Sequence, residues 1–163
     1  MPKRTNEFQQ LIYLIESQIH EDSIVTESKE LIDDRTGEKV EVDIVIETKH
    51  KGLPLLIGIE CTAEKRPAGS EWVNEMYGKH TSLPTHVLVI VSKSGFYKTA
   101  IEKAKKLKII PLTLDEAEDL DWISFVEKNQ NLVLCRFSYC IKKYLVKCIS
   151  PIKENVYFST GSF

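Results

Sequence analysis

Long apolar runs are missing from this sequence. The longest, Leu53 to Ile59, is broken by Pro54 and Gly58 and falls well short of the roughly 20 residues that a membrane-spanning helix needs. The opening residues Met1 to Glu7 are basic, but Glu7, Gln9 and Gln10 interrupt any apolar signal-peptide core. The expectation is a soluble cytoplasmic protein that meets no membrane. Cysteine is also sparse: Cys61, Cys135, Cys140 and Cys148 form no CxxC pair, which argues against zinc and for free thiols in a reducing compartment. His20, His50, His80 and His86 are scattered and lack ligand spacing such as HExxH. GxSxG, P-loop and GxGxxG motifs are absent, so an α/β hydrolase or a nucleotide binder has no support.

Strong charge of one sign is lacking too. Lys plus Arg total 22 against 24 Asp plus Glu, a formal charge of -2, so any nucleic-acid partner must be explained by local placement. Five acids, Asp115, Glu116, Glu118, Asp119 and Asp121, fall in one stretch without a base. The remainder of the chain is therefore mildly basic. What the sequence does have is an ordinary globular make-up, 42% hydrophobic and 28% charged over 163 residues. A chain of that length buries roughly 70% of its unfolded surface and needs no staple.

Periodicity divides the chain into alternating elements. Phe8, Leu11, Ile12, Ile15 and Ile19 recur at intervals of three and four, the mark of an amphipathic helix, with Thr5 or Asn6 as its cap. Ser23 to Lys29 reads as a short strand, and Asp33 to Glu38, with Gly37, as a turn. Val40, Val42, Ile44 and Ile46 alternate along a second strand; Leu55 to Thr62 follows as a buried third after a turn at Lys49 to Gly52. Ser70 caps a helix to about His80 with Trp72, Val73, Met76 and Tyr77 on one face. His86 to Ser92 is a central strand by its β-branched content. Ser94-Gly95-Phe96 turns into a helix from Tyr97 to Lys108, Ile109 to Leu114 is an edge strand containing Pro111, and Asp115 to Lys128 is an acidic helix. The order predicts an α/β domain over residues 1–128 with an antiparallel start and a parallel crossover. Residues 129–163 are expected to form a β-rich extension and tail, with β segments at Leu132 to Phe137 and Ile141 to Ile149.

The hairpin carries the chemistry. A turn centred on Lys51-Gly52 puts Asp43 opposite Glu60 and Glu41 opposite Thr62, all on one sheet face. Paired carboxylates on a hydrophobic sheet need a cation. Mg²⁺, which takes one or two protein carboxylates and keeps several waters, suits that arrangement. The alternative is that Asp43 and Glu60 are exposed and pair with Lys39, Lys65 or Arg66.

Four segments in order, Asp43-Ile44-Val45-Ile46, Ile57-Gly58-Ile59-Glu60-Cys61-Thr62, Trp72 to Lys79 and Val91 to Phe96, resemble the restriction-endonuclease-like fold of the PD-(D/E)xK nuclease superfamily. The nearest group in pattern is the Mrr-type restriction endonucleases. The likeness runs from about Glu7 to Ile110, and it implies a mixed sheet flanked by helices. It implies a metal-dependent DNA endonuclease using Mg²⁺ or Mn²⁺, with Asp43, Glu60 and the carbonyl of Cys61 as metal ligands. The family's lysine falls on Thr62, which can hold a water but carries no charge for a developing phosphate negative charge.

Two lysines could substitute. Lys65 lies three residues beyond Thr62; Lys79 lies on the next helix, in one stripe with Glu71 and Glu75. Such migration is known in the superfamily this chain resembles and favours Lys79, while a plain Glu75–Lys79 ion pair is the ordinary alternative. The superfamily's acid on the first helix has Glu7, Gln9 and Glu16 as candidates. DNA contacts are expected from Lys65, Arg66, Lys79, Lys93 and Ser94; the run Lys103 to Lys108 is expected to be a solvated helix face. The rival function is a relative that kept the fold without the catalytic lysine and serves as a DNA-binding or protein-interaction module. A homodimer, common among nucleases of this fold, is the other expected partner.

Overall fold

The computed structural model describes residues 6–19, 23–50 and 53–130. Helix α1 (Asn6–Gln18) leads into strands β1 (Ile24–Ile32), β2 (Lys39–His50) and β3 (Leu53–Thr62). Then α2 (Ser70–His80), β4 (Val87–Ser92), α3 (Lys98–Lys106), β5 (Ile110–Thr113) and α4 (Leu114–Glu118) alternate. A last helix, α5, covers residues 122–130. None of the described helices is long and apolar enough to cross a membrane.

The five strands form one mixed sheet in the order β1-β2-β3-β4-β5. The first three pair antiparallel as a meander, and β3–β4 and β4–β5 pair parallel through the crossover helices α2 and α3. This mixed sheet flanked by helices is the restriction-endonuclease-like arrangement expected from the sequence. Both faces are covered. Phe8, Leu11 and Ile15 of α1 pack with Trp122 and Val126 on Ile44, Ile46, Ile57 and Ile59. Val73 and Met76 of α2 and Ala100 and Ala104 of α3 cover the other face. Along β4, Val89 and Val91 join the first layer while Leu88 and Ile90 join the second. Burial on both sides is why that strand is apolar at nearly every position. Pro111 sits on the edge strand β5, where a missing amide is tolerated.

Several local expectations differ from the structure. β1 continues to Ile32, because its pairing with β2 extends to Ile32↔Lys39. The α2 cap is Gly69 rather than Ser70, and no side chain caps that end. On α2 the buried positions are Val73, Met76 and His80, whereas Tyr77 is 42% exposed. The acidic segment is two helices rather than one. Thr113 and Glu116 close a reciprocal capping box on α4. Asp121 then restarts the helix, accepting from the hydroxyl and the amide of Ser124 at 2.7 and 3.1 Å. Those same two bonds, the hydroxyl first, hold the Asp121 carboxyl below the usual carboxylate range. The break lets the fully buried Trp122 indole fold back and donate to Ala117 O at 2.9 Å. The two β segments expected after residue 130 lie outside the described residues, as do Cys135, Cys140 and Cys148.

Candidate functional site

The site begins where the β2 ladder is interrupted. Pairing between β2 and β3 runs from His50↔Leu53 to Ile44↔Ile59, the register expected from the hairpin, and ends there. On the other side the β1–β2 register passes from Glu27↔Ile44 to Lys29↔Val42, omitting Ser28 and Asp43. Ser28 has a left-handed φ of 49°. The face alternation slips at the same point: Val42 and Val45, three residues apart, join one cluster, whereas Ile44 joins the opposite layer. Asp43 therefore sits at a kink, one residue beyond the last ladder pair of β2 and β3. Its Oδ2 accepts the amide of Cys61 at 2.8 Å. A strand amide left without a ladder partner needs an acceptor, and the carboxylate supplies one. Glu41, expected on the same face, instead accepts from the Ser28 hydroxyl at 2.6 Å.

Glu60 is only 4% exposed. A carboxylate so placed is costly unless charge and hydrogen bonds meet it. Two consecutive residues from the last turn of α2 do so at one oxygen: Lys79 Nζ and His80 Nε2 lie 2.7 and 2.8 Å from Oε1. The other ring nitrogen, His80 Nδ1, meets Thr85 Oγ1 at 2.9 Å. Lys79 thus pairs with Glu60, on the neighbouring strand, and not with Glu75 one turn back on its own helix. Lys39 pairs with Glu30 at 2.8 Å. The sequence reading singled out Asp43, Glu60 and Lys79. It missed His80, whose signal was present as the third member of the buried Val73, Met76, His80 stripe.

Thr62 ends β3 half-buried. Its Oγ1 accepts the amide of Glu64 at 3.4 Å and its carbonyl accepts the amide of Lys93 at 3.0 Å. Ser94 Oγ donates to Glu64 O, and Ala68 and Gly95 are joined by a backbone bond of 2.8 Å. The loop after β3 is therefore tied to the turn after β4. Between this loop and α2 lies a cavity of about 430 Å³, lined in part by Thr62, Arg66, Glu71, Glu75, Trp72 and Tyr97. Arg66, on its lining, is exposed, as are Lys65 and Lys93 on the two tied loops, while Lys105, Lys106 and Lys108 lie exposed along and after α3. Trp72 is half-buried and stacks on Phe96 with centroids 6.1 Å apart. Among the described residues no group of three or more His, Cys, Asp or Glu side chains gathers as a metal cluster. Of the expected ligands, Asp43 is held by the Cys61 amide and Glu60 by Lys79 and His80.

No family model matches the chain. No curated protein matches it either. Among solved structures, it is similar to a protein of unknown function, AF1548, at 16% identity and a TM-score of 0.53, covering 67% of this chain and 58% of that one. The protein VC1899 from Vibrio cholerae matches at 16% identity and a TM-score of 0.45, over 77% of this chain and 31% of that one. The MspJI restriction endonuclease, solved in complex with a 27-mer oligonucleotide, matches at 13% identity and a TM-score of 0.44, over 71% of this chain and 27% of that one. The chain thus spans little more than half of the first of these proteins and about a third or less of the others. The likeness to AF1548 is one of fold.

Proposed function

We propose that this chain is a divalent-metal-dependent nuclease domain that hydrolyses DNA phosphodiesters. One observation carries the reading: the Lys79 ammonium lies 2.7 Å from the buried Glu60 carboxylate. It supports catalysis over the rival of a binding module that lost its lysine, because the charge missing at Thr62 is supplied from α2. The resemblance of the four sequence segments to the PD-(D/E)xK pattern, nearest the Mrr-type group, supports the substrate class.

The donor set suits Mg²⁺, with Mn²⁺ as a substitute. Asp43 Oδ2 is bonded to the Cys61 amide, and Glu60 Oε1 to Lys79 and His80. Two hard oxygen ligands plus a backbone carbonyl, that of Cys61, match a cation that keeps several waters. When bound, the cation supplies Lewis-acid neutralisation of the charge developing on the phosphate. Lys79 sets a positive charge at the same place, where it orients the attacking water and offsets that negative charge. The water oxygen bonds to phosphorus and gives up a proton to solvent, the bond to the leaving sugar oxygen breaks, and that oxygen takes up a proton from solvent. Lys65, Arg66 and Lys93 are the exposed cations near the site that would meet the phosphate backbone.

The test is cleavage of supercoiled plasmid with Mg²⁺ or Mn²⁺, comparing the wild type with Asp43→Ala, alongside a calorimetric Mn²⁺ titration of both. The wild type is expected to bind Mn²⁺ and cut, and the variant to do neither. A wild type that binds no Mn²⁺ and cuts no plasmid, linear, single-stranded or methylated DNA overturns the proposal.

A further inference from the structure

Behind Glu60 the structure holds a second buried group that the proposed chemistry does not use. The His80 side chain is 4% exposed and lies between two elements, its Nε2 on Glu60 Oε1 and its Nδ1 on Thr85 Oγ1. Because Oε1 also faces the Lys79 ammonium, it acts as an acceptor, so Nε2 carries the hydrogen. The room for the ring comes from Gly58, two residues before Glu60 on β3. A Cβ there would stand 2.7 Å from His80 Cε1 and 3.1 Å from Thr85 Cγ2, so any side chain would push the imidazole away from the carboxylate. Gly58, His80 and Thr85 form one built cradle from three segments.

We infer that His80 is a positioning residue for Glu60, with Gly58 and Thr85 holding the ring in place. The inference rests on the metal-nuclease reading of the site. Lys79 and His80 approach the same oxygen from successive helix positions, so the carboxylate is fixed against rotation about its last bond. With Oε1 held, Oε2 is the Glu60 oxygen left for a cation. Without the imidazole, Lys79 alone faces a carboxylate that can swing, and the geometry at Asp43 and Glu60 loosens. Hydrogen-bond partners that orient a ligating side chain commonly account for 10–100-fold in metal affinity or activity.

The experiment compares His80→Leu with His80→Gln, whose amide donor can replace Nε2–H. Mn²⁺ affinity is read by calorimetry, and kcat and KM are read separately on plasmid DNA. His80→Leu is expected to weaken Mn²⁺ binding and lower kcat, each by about 10–100-fold, with KM for DNA little changed. His80→Gln is expected to recover most of both. A folded His80→Leu with wild-type Mn²⁺ affinity and kcat overturns the inference. If His80→Leu does not fold, Thr85→Val and Gly58→Ala, which disturb the ring and keep it, serve for the same comparison. A metal-free arm separates this inference from the nuclease reading: a double-mutant cycle in urea unfolding between Glu60→Gln and His80→Leu. If the wild type neither binds Mn²⁺ nor cuts, the nuclease reading fails. The cycle then decides whether His80 holds Glu60, with non-additive effects supporting it and additive effects overturning it.

Discussion

The ammonium of Lys79 meets Oε1 of Glu60 at 2.7 Å, joining the last turn of α2 to the end of β3. Glu75, the partner that helix spacing offers to Lys79, is exposed. Burial explains the choice. Exposed pairs one helical turn apart contribute only about 0.3–0.5 kcal/mol, whereas an unpaired buried carboxylate is strongly destabilising.

Lys79 and Lys65 are therefore separable by mutation. Lys79→Ala is expected to lower kcat for plasmid cleavage by about 10²–10³-fold, the usual loss on removing a group that stabilises developing charge. Lys65, exposed in the loop after β3, belongs to phosphate contact, so Lys65→Ala should weaken DNA binding and its salt dependence with kcat nearly intact. Steady-state cleavage at several salt concentrations checks both. The reverse pattern would move the catalytic role to Lys65.

Restoring the family's residue gives a second test. Thr62 is half-buried and follows Glu60 by two residues on β3, so a lysine there projects from the sheet face that carries Glu60. Thr62→Lys introduced into Lys79→Ala is expected to recover cleavage that Lys79→Ala loses. Thr62→Met in the same background, similar in length and uncharged, should recover nothing. Equal recovery by both would show that bulk, not charge, is what that position supplies.

The parts of this arrangement that follow a simple period were legible in the sequence. Two-residue alternation and a short turn fixed the β2–β3 register as far as Ile44↔Ile59, and β-branched content marked β4. The slip at Asp43 was not legible, because it depends on Ser28 of another strand adopting a left-handed backbone. His80 falls in the stripe of Val73 and Met76, but its burial was not legible, because it depends on the Glu60 carboxylate of another element, which needs a donor at that place. Likewise, the acids after Thr113 suit one exposed helix face. Only the burial of Trp122 and the capping by Asp121 reveal two helices there.

The turn between β1 and β2 gives a pH prediction. The Ser82 hydroxyl, then the amides of Thr36 and Arg35, hold the Asp33 carboxyl below its usual range. The folded protein therefore binds this proton less readily than the unfolded chain. Stability from Asp33 is full above the ordinary carboxylate range and is lost as pH falls through its lowered value. Asp33→Asn should lower stability near neutrality and flatten the acid limb of the thermal melting profile. An acid limb of unchanged slope would show that other carboxyls dominate it.

Ser92 ends β4, between Thr62 and Thr113 in the ladder. It is fully buried, and its hydroxyl meets no partner among the described residues. Leaving a buried polar group unsatisfied costs about 1–3 kcal/mol, so Ser92→Ala is expected to stabilise the protein by about 1 kcal/mol, because a small void offsets part of the gain. Urea unfolding of the two forms measures this. Ser92 shares its sheet face with Thr62 and Glu60, since residues paired across β3 and β4 lie on one side. The cleavage assay on the same variant therefore carries the second half of the prediction. Higher stability with unchanged cleavage makes the hydroxyl a plain defect of the core; higher stability with reduced cleavage makes it a group kept at the expense of folding for work at the end of β3.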